Sequence, residues 1–293
     1  MRLPGFLIIG GMKCGTTSLF FDLAANPAIF TPDDKEPSDL TSDRVLTREG
    51  TRRYERLFRR ARGDQVCGEA STGYAKLPDV RGVPRRARRL LPGARIIYLV
   101  REPVSRAVSH HYHLLIAGSV DGDIDRAVRS DSGLIDYSLY AMQIRPWIDA
   151  FGEERVRIVR FEDYVARRRE TVAEISRFLG VEPRTEAIRA DQVHNRGGER
   201  RVPGGLAWRL SRRGLYQSWI RPGRPLSARV GLRRLTMPEA PPPPAPPSPA
   251  TVEYIQERVR DDTAELQRLA GWREPPWDFE AVRRRYGVDP ART

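Results

Sequence analysis

The chain reads as an α/β protein, with a P-loop-like central parallel β-sheet flanked by helices on both faces and a helical basic insert near the C-terminus. Three observations predict this. Short runs that are apolar throughout recur along the chain, residues 6–9 (FLII) and 96–100 (IIYLV), both without polar alternation, being the clearest, and such runs are strands buried on both faces of a parallel sheet. Strand-like and helix-like segments alternate over the first 180 residues, the pattern of right-handed βαβ crossovers. The first strand also runs directly into a glycine turn, Gly10-Gly11-Met12-Lys13-Cys14-Gly15, that opens a helix at Thr16-Thr17-Ser18.

Residues 1–30 give a strand and a helix. Residues 31–65 form a connecting segment with a helix near 48–61, followed by a short strand at 65–70 and a basic helix at 80–92. A strand at 95–100 leads into a helix over 103–117, with Pro103 suited to the first helical turn. A helix at 137–151, a strand at 155–160 and a helix at 168–180 complete the alternation. Residues 196–237 break it, being rich in arginine with Trp208, Tyr216 and Trp219 interspersed. The stretch from Pro238 to Ala250, PEAPPPPAPPSPA, predicts an extended linker. A helix over 251–270 carries Ile255, Val259, Leu266 and Leu269 on one stripe. The expected organisation is one domain over 1–293. It includes a basic aromatic insert and proline-rich linker at 196–250 and a helical segment at 251–293 that packs back on the domain.

The net charge is +13 over 293 residues. Residues 196–237 hold eleven arginines and one glutamate, so the rest of the chain is close to balance. No zinc spacing, RNA-binding aromatic signature or basic-zipper pattern accompanies the charge, and nucleic acid is not the expected partner. The insert reads as a lid, a membrane-facing amphipathic pair, a dimer surface or an ordinary solvated helical excursion. No run of eighteen apolar residues predicts a membrane span. The short apolar segment at the N-terminus is a strand that the glycine turn needs, not a signal peptide. Cys14 and Cys67 do not make a disulfide framework. These features predict a cytoplasmic protein, and the arginine-rich, lysine-poor composition suggests a GC-rich bacterial genome.

The glycine turn is a phosphate cradle: glycines let the backbone approach an anion, and free N–H groups and the helix dipole face it. Lys13 adds a full charge. The usual nucleoside-triphosphate loop places lysine directly after glycine, whereas here Lys13 precedes Gly15 by two residues. In the segment ARIIYLVREPVSRAVSHHY, residues 94–112, Arg101 sits at the C-terminal edge of a strand and Ser109 lies about two helical turns further on. A planar guanidinium and a hydroxyl can hold a second phosphate.

K-C-G-T-T-S followed by R-x-P-x-x-R-x-x-S resembles sulfotransferases that use 3′-phosphoadenosine 5′-phosphosulfate (PAPS), in particular the carbohydrate and heparan branch as a soluble, bacterial-like member. The resemblance extends to Lys35-Glu36-Pro37, to Gly68-Glu69-Ala70-Ser71-Thr72-Gly73-Tyr74, to Ser138-Leu139-Tyr140 with Trp147, to residues 157–163 and to residues 269–277. It implies that Lys13 stabilises the leaving group and that Cys14, Gly15, Thr16, Thr17 and Ser18 hold the 5′-phosphate. Arg101 and Ser109 would hold the 3′-phosphate, and Glu36 would be the general base. His111 and His113, beside His110, or else Glu69, are the alternatives for the base or for orientation. Asn195, Arg200 and Arg201 are candidates for a loop closing over the nucleotide. One departure is Ala70, where the carbohydrate members often carry a lysine.

The expected reaction is transfer of a sulfuryl group from PAPS to a hydroxyl of a carbohydrate, glycolipid or secondary metabolite, releasing PAP (adenosine 3′,5′-bisphosphate), with no metal. The alternatives are a P-loop kinase or nucleotide hydrolase and a non-catalytic basic anion-binding protein. The first would call for lysine directly after glycine and a strand ending in aspartate for magnesium, where this chain has K-C-G and Arg101.

Overall fold

The computed structural model describes residues 2–33, 35–120, 122–188 and 242–287. The candidate closing residues Asn195, Arg200 and Arg201 and the whole 196–237 insert lie outside the described residues.

Strand β1 (Phe6–Gly10) is buried along its whole length, because both of its edges and both of its faces are covered. It pairs in parallel with β3 (Val66–Ala70) on one side and β4 (Arg95–Val100) on the other. The two-residue β2 (Ile29–Phe30) extends the sheet beyond β3, and β5 (Val156–Arg160) extends it beyond β4. The order is β2-β3-β1-β4-β5, all parallel. Gly68 is required in β3, since the Phe6 ring occupies the space its Cβ would need, 2.0 Å away.

Helices cover both faces. On one side α1 (Thr16–Ala24) packs against α9 (Arg168–Phe178). Their contact contains a buried ion pair, Arg168 Nε to Asp22 Oδ2 at 2.7 Å, to which Tyr164 of α8 (Phe161–Ala166) adds its hydroxyl. On the other side lie α3 (Val83–Leu90), α7 (Tyr140–Phe151) and α10 (Pro249–Leu269). A smaller apolar cluster joins α4 (Pro103–Ile116) and α5 (Ile124–Ser130) to α10 and α11 (Phe279–Arg285) through Val104, Ala107, Ile124, Val259 and Val282. A single turn, α6 (Gly133–Asp136), and a nine-residue α2 (Arg48–Arg56) complete the elements.

Several boundaries differ from the sequence expectation for physical reasons. The basic helix expected at 80–92 begins only after Gly82, whose φ is +76°, and ends before Pro92, which disfavours helical backbone at Leu91. The helix expected from 137 begins at Tyr140, where Asp262 of α10 accepts from the N–H groups of Ala141 and Met142 at 2.9 and 2.8 Å. That cap comes from more than a hundred residues away, so nothing local marks the start. Of the expected stripe on α10, Ile255, Val259 and Leu266 are fully buried and Leu269 is partly buried. Both cysteines are buried free thiols. Among the described residues, no helix is long and apolar enough to cross a membrane.

Candidate active site

In an open parallel sheet the ligand crevice lies beyond the C-terminal strand ends, where the strand order switches direction. Here that point is the end of β1, and five segments meet around it.

The glycine turn leaves β1 and is pinned by Gly11 N–H donating to Leu99 O at 2.5 Å and by Cys14 N–H donating to Gly11 O at 3.1 Å. Lys13 has φ +69° and Gly15 φ +87°. Glycine is needed at 15 twice over, because a Cβ there would also meet the Phe161 ring at 2.8 Å. Gly15 is the N-cap residue of α1, with no side-chain cap and no acidic residue in the first turn. The first N–H groups of a helix have no intrahelical acceptor, so the cradle presents donors and positive potential. Thr16 and Ser18 are buried, Thr17 half-buried. Cys14 is fully buried, its Sγ 3.8 Å from the Tyr140 hydroxyl. Burial pushes its thiol up to about 11, so it packs as a neutral group.

Arg101 follows β4. Its Nη1 donates to Lys13 O at 3.1 Å, and its guanidinium lies 4.8 Å from the centre of the Phe161 ring. The Tyr140 hydroxyl donates to Arg101 O at 2.7 Å and accepts from Arg101 N at 3.3 Å. The buried Glu102 caps α4 through the N–H groups of Val104 and Ser105. Ser109 is half-buried on α4. The second arginine of the motif, Arg106, is fully buried and donates to Leu134 O at 2.6 Å, to Gly133 O and to the Ser138 hydroxyl. The S-x-Y segment therefore serves both arginines, Ser138 holding Arg106 and Tyr140 holding Arg101.

Glu36 sits in a loop with φ +64°, followed by Ser38 at +58°. The loop docks on the end of β3, Glu36 N donating to Ala70 O at 2.9 Å and Ser38 N to Ser71 Oγ at 3.1 Å. The carboxylate accepts from Lys35 Nζ at 2.5 Å and from Thr72 N at 2.7 Å. Over a third of the side chain is exposed.

Glu69 is fully buried and belongs to a different network. Its Oε1 accepts from the hydroxyls of Tyr54 (2.8 Å) and Tyr74 (2.5 Å), and its Oε2 from Ser71 (2.7 Å). Burial pushes its carboxyl up to about 7, against the hydrogen bonds of Tyr74, Ser71 and Tyr54. A link to the site runs through Ser71, which accepts from Ser38 N in the Glu36 loop. His111 is fully buried on α4 and His113 half-buried. His110 stacks on Tyr137 at 5.7 Å, and burial and then the Arg106 charge press it down to about 2, so it stays neutral.

Four positioning residues were not anticipated from sequence: Thr72, Tyr140, Phe161 and Lys76. Lys76 Nζ lies 5.4 Å from the Tyr137 ring centre. Burial draws its ammonium below the usual range, while Glu36 and Asp79 oppose that shift. Thr72, Tyr140 and Phe161 lie within segments that the resemblance matched, without their roles being read from it, and Lys76 had no signal.

A family model described as "Sulfotransferase family" matches residues 43–186. The bifunctional heparan sulfate N-deacetylase/N-sulfotransferase 2 of Bos taurus is 26% identical over 215 residues, covering 65% of this chain and 24% of that protein. Human carbohydrate sulfotransferase 15 is 25% identical over 301 residues, covering 78% of this chain and 53% of that protein. The chain thus spans about a quarter and about half of these relatives. A sulfotransferase from Alicyclobacillus acidocaldarius shares the fold, with a TM-score of 0.63 at 23% identity, covering 92% of this chain and 97% of that one. The chain is thus similar to the sulfotransferase family, in sequence over residues 43–186 and in fold over nearly its whole length.

Proposed function

We propose that this protein transfers a sulfuryl group from PAPS to a hydroxyl of an acceptor and releases PAP. The observation that carries this reading is the joined cradle. An α1 N-terminus without a side-chain cap, with Lys13 at its mouth, is tied by a hydrogen bond to Arg101 at the end of the neighbouring strand. A donor with two separate phosphate groups fits this pair of anion sites, whereas a triphosphate with magnesium would call for an acid where β4 gives way to Arg101.

PAPS supplies the sulfuryl group on its 5′-phosphate; the chain supplies position and charge. The α1 N–H groups with Thr16, Thr17 and Ser18 hold the 5′-phosphate, and Lys13 offsets charge on the leaving oxygen. Arg101 and Ser109 hold the 3′-phosphate. Glu36, kept in place by Lys35 and Thr72, accepts the acceptor's proton. The names of the relatives favour a glycan as the acceptor.

The test is a thermal-shift titration with PAP against adenosine 5′-phosphate, followed by transfer of label from PAPS to a panel of glycans, glycolipids and small alcohols. Stabilisation by PAP well beyond that by adenosine 5′-phosphate, with label appearing on a hydroxyl, is expected. No response to PAP would remove the reading.

A further inference from the structure

A cleft of about 640 Å³ opens between α3 and α7, away from the glycine turn. Its volume falls within the range of small-molecule sites, about 300–1,000 Å³. The lining is apolar: Leu77, Val80, Pro84, Pro146, Trp147 and Ala150, with Tyr74 beneath. The polar side chain in the floor is Gln143, and its amide is already engaged. Oε1 accepts from Leu77 N at 2.8 Å, and Nε2 donates to Leu77 O at 2.9 Å and Asp136 O at 3.1 Å. The floor offers little to hydrogen-bond a free sugar or a nucleotide, so a hydrocarbon suits it.

The rim has the opposite character. Arg85, Arg88 and Arg89 stand along it on one helix, all exposed, against one acid, Asp149. Arg85 is 3.8 Å from Asp43, with both side chains well exposed, a pair worth little. Among the described residues, no carboxylate lies in ion-pair reach of Arg88 or Arg89. Arg88 packs its guanidinium 5.8 Å from the Phe151 ring centre at the end of α7 and donates Nη1 to Pro92 O, its remaining donors staying open at the rim.

We propose that this cleft is a second ligand site, binding the hydrocarbon chain of an anionic amphiphile whose acidic head rests on Arg85, Arg88 and Arg89. The argument is charge complementarity at the rim of an apolar cavity, with a volume set for one molecule. The site also has a route to the transfer centre. Tyr74, Leu77, Val80 and Gly82 of its lining belong to the segment that follows Thr72, which holds Glu36.

The test uses the full chain and cis-parinaric acid, a fluorescent fatty acid, below its aggregation concentration, with displacement by decanoic acid and by decanol. Binding of one molecule per chain is expected, with decanoic acid displacing the probe at least tenfold better than decanol. Charge reversal in R88E/R89E should weaken the acid at least tenfold, since a charge-assisted contact contributes about that much. Ala150→Trp should fill the cavity and remove binding. PAP should not displace the probe, which separates this site from the glycine turn. R88E/R89E changes only exposed side chains, so it remains informative if Ala150→Trp folds poorly. The proposal is overturned by absence of binding, by many molecules per chain, by equal affinity for decanol, by unchanged affinity in R88E/R89E, or by displacement with PAP.

Discussion

Arg101 reaches across the sheet edge to donate to the carbonyl oxygen of Lys13 at 3.1 Å. The two cations assigned to opposite ends of the donor are thus held in one unit. Tyr140 fixes the backbone of Arg101, and Phe161 supports its guanidinium. The same Phe161 ring leaves room only for glycine at position 15.

Arg101→Ala should weaken PAP binding by about ten- to a hundredfold, the worth of a charge-assisted fork to phosphate at roughly 1.5–3 kcal/mol. Adenosine 5′-phosphate should lose less, through the slackened Lys13 carbonyl alone. Calorimetric titration of both ligands measures the difference, and equal losses would take the 3′-phosphate away from Arg101.

Lys13 holds a left-handed backbone, φ +69°, which costs a non-glycine residue about 1 kcal/mol. Lys13→Gly should therefore be at least as stable as the parent in urea unfolding while losing turnover. Stability bought at the loss of activity is the expected signature of strain kept for function. A variant with near-parental turnover would take Lys13 out of the chemistry.

Glu36→Gln keeps the size of the side chain and its contact with Thr72 but cannot take a proton. Turnover should fall by about 10²–10⁴-fold with PAP affinity almost unchanged, because the residue serves the acceptor side. If turnover persists in this variant and fails in a His113 variant, the base is a histidine.

Burial raises the Glu69 carboxyl from 4.5 to about 7. Between those values the folded state holds a proton that the unfolded state has released, so stability falls as pH rises through this window and levels off above it. At 1.36 kcal/mol per unit the fall is about 3 kcal/mol. Glu69→Gln should be flat over the same window. Urea unfolding of both proteins at pH 4.5 and pH 8 gives the comparison, and equal slopes would contradict the assignment.

The parts of the site that sequence discloses are those fixed by local geometry. The glycine turn is legible because a strand must turn sharply into a helix with lysine at the bend, and Arg101 because a cation ends an apolar run. The Glu69 segment could be matched as a pattern but not understood. Only the fold shows that Glu69, Ser71 and Tyr74 form one hydrogen-bond network with Tyr54, fifteen residues upstream. Thr72, Tyr140 and Phe161 reach the site through crossovers that set which strand ends are neighbours, and no local pattern encodes that. The two-residue β2 and the short α5, α6 and α8 hold too few residues to show a period.

The sheet order also bears on how the protein is made. The glycine turn precedes β3, β4 and β5 along the chain, yet β1 lies between β3 and β4, and Phe161, which supports Arg101, follows β5. A nascent chain carries the whole loop motif long before it has Arg101 or the strands that place it. The nucleotide binding proposed for this loop would therefore be a property of the assembled sheet and could not precede it. Ligand present in the cell would stabilise only chains that have joined β3, β1, β4 and β5 in the right order, acting as a late check on folding and not as its template.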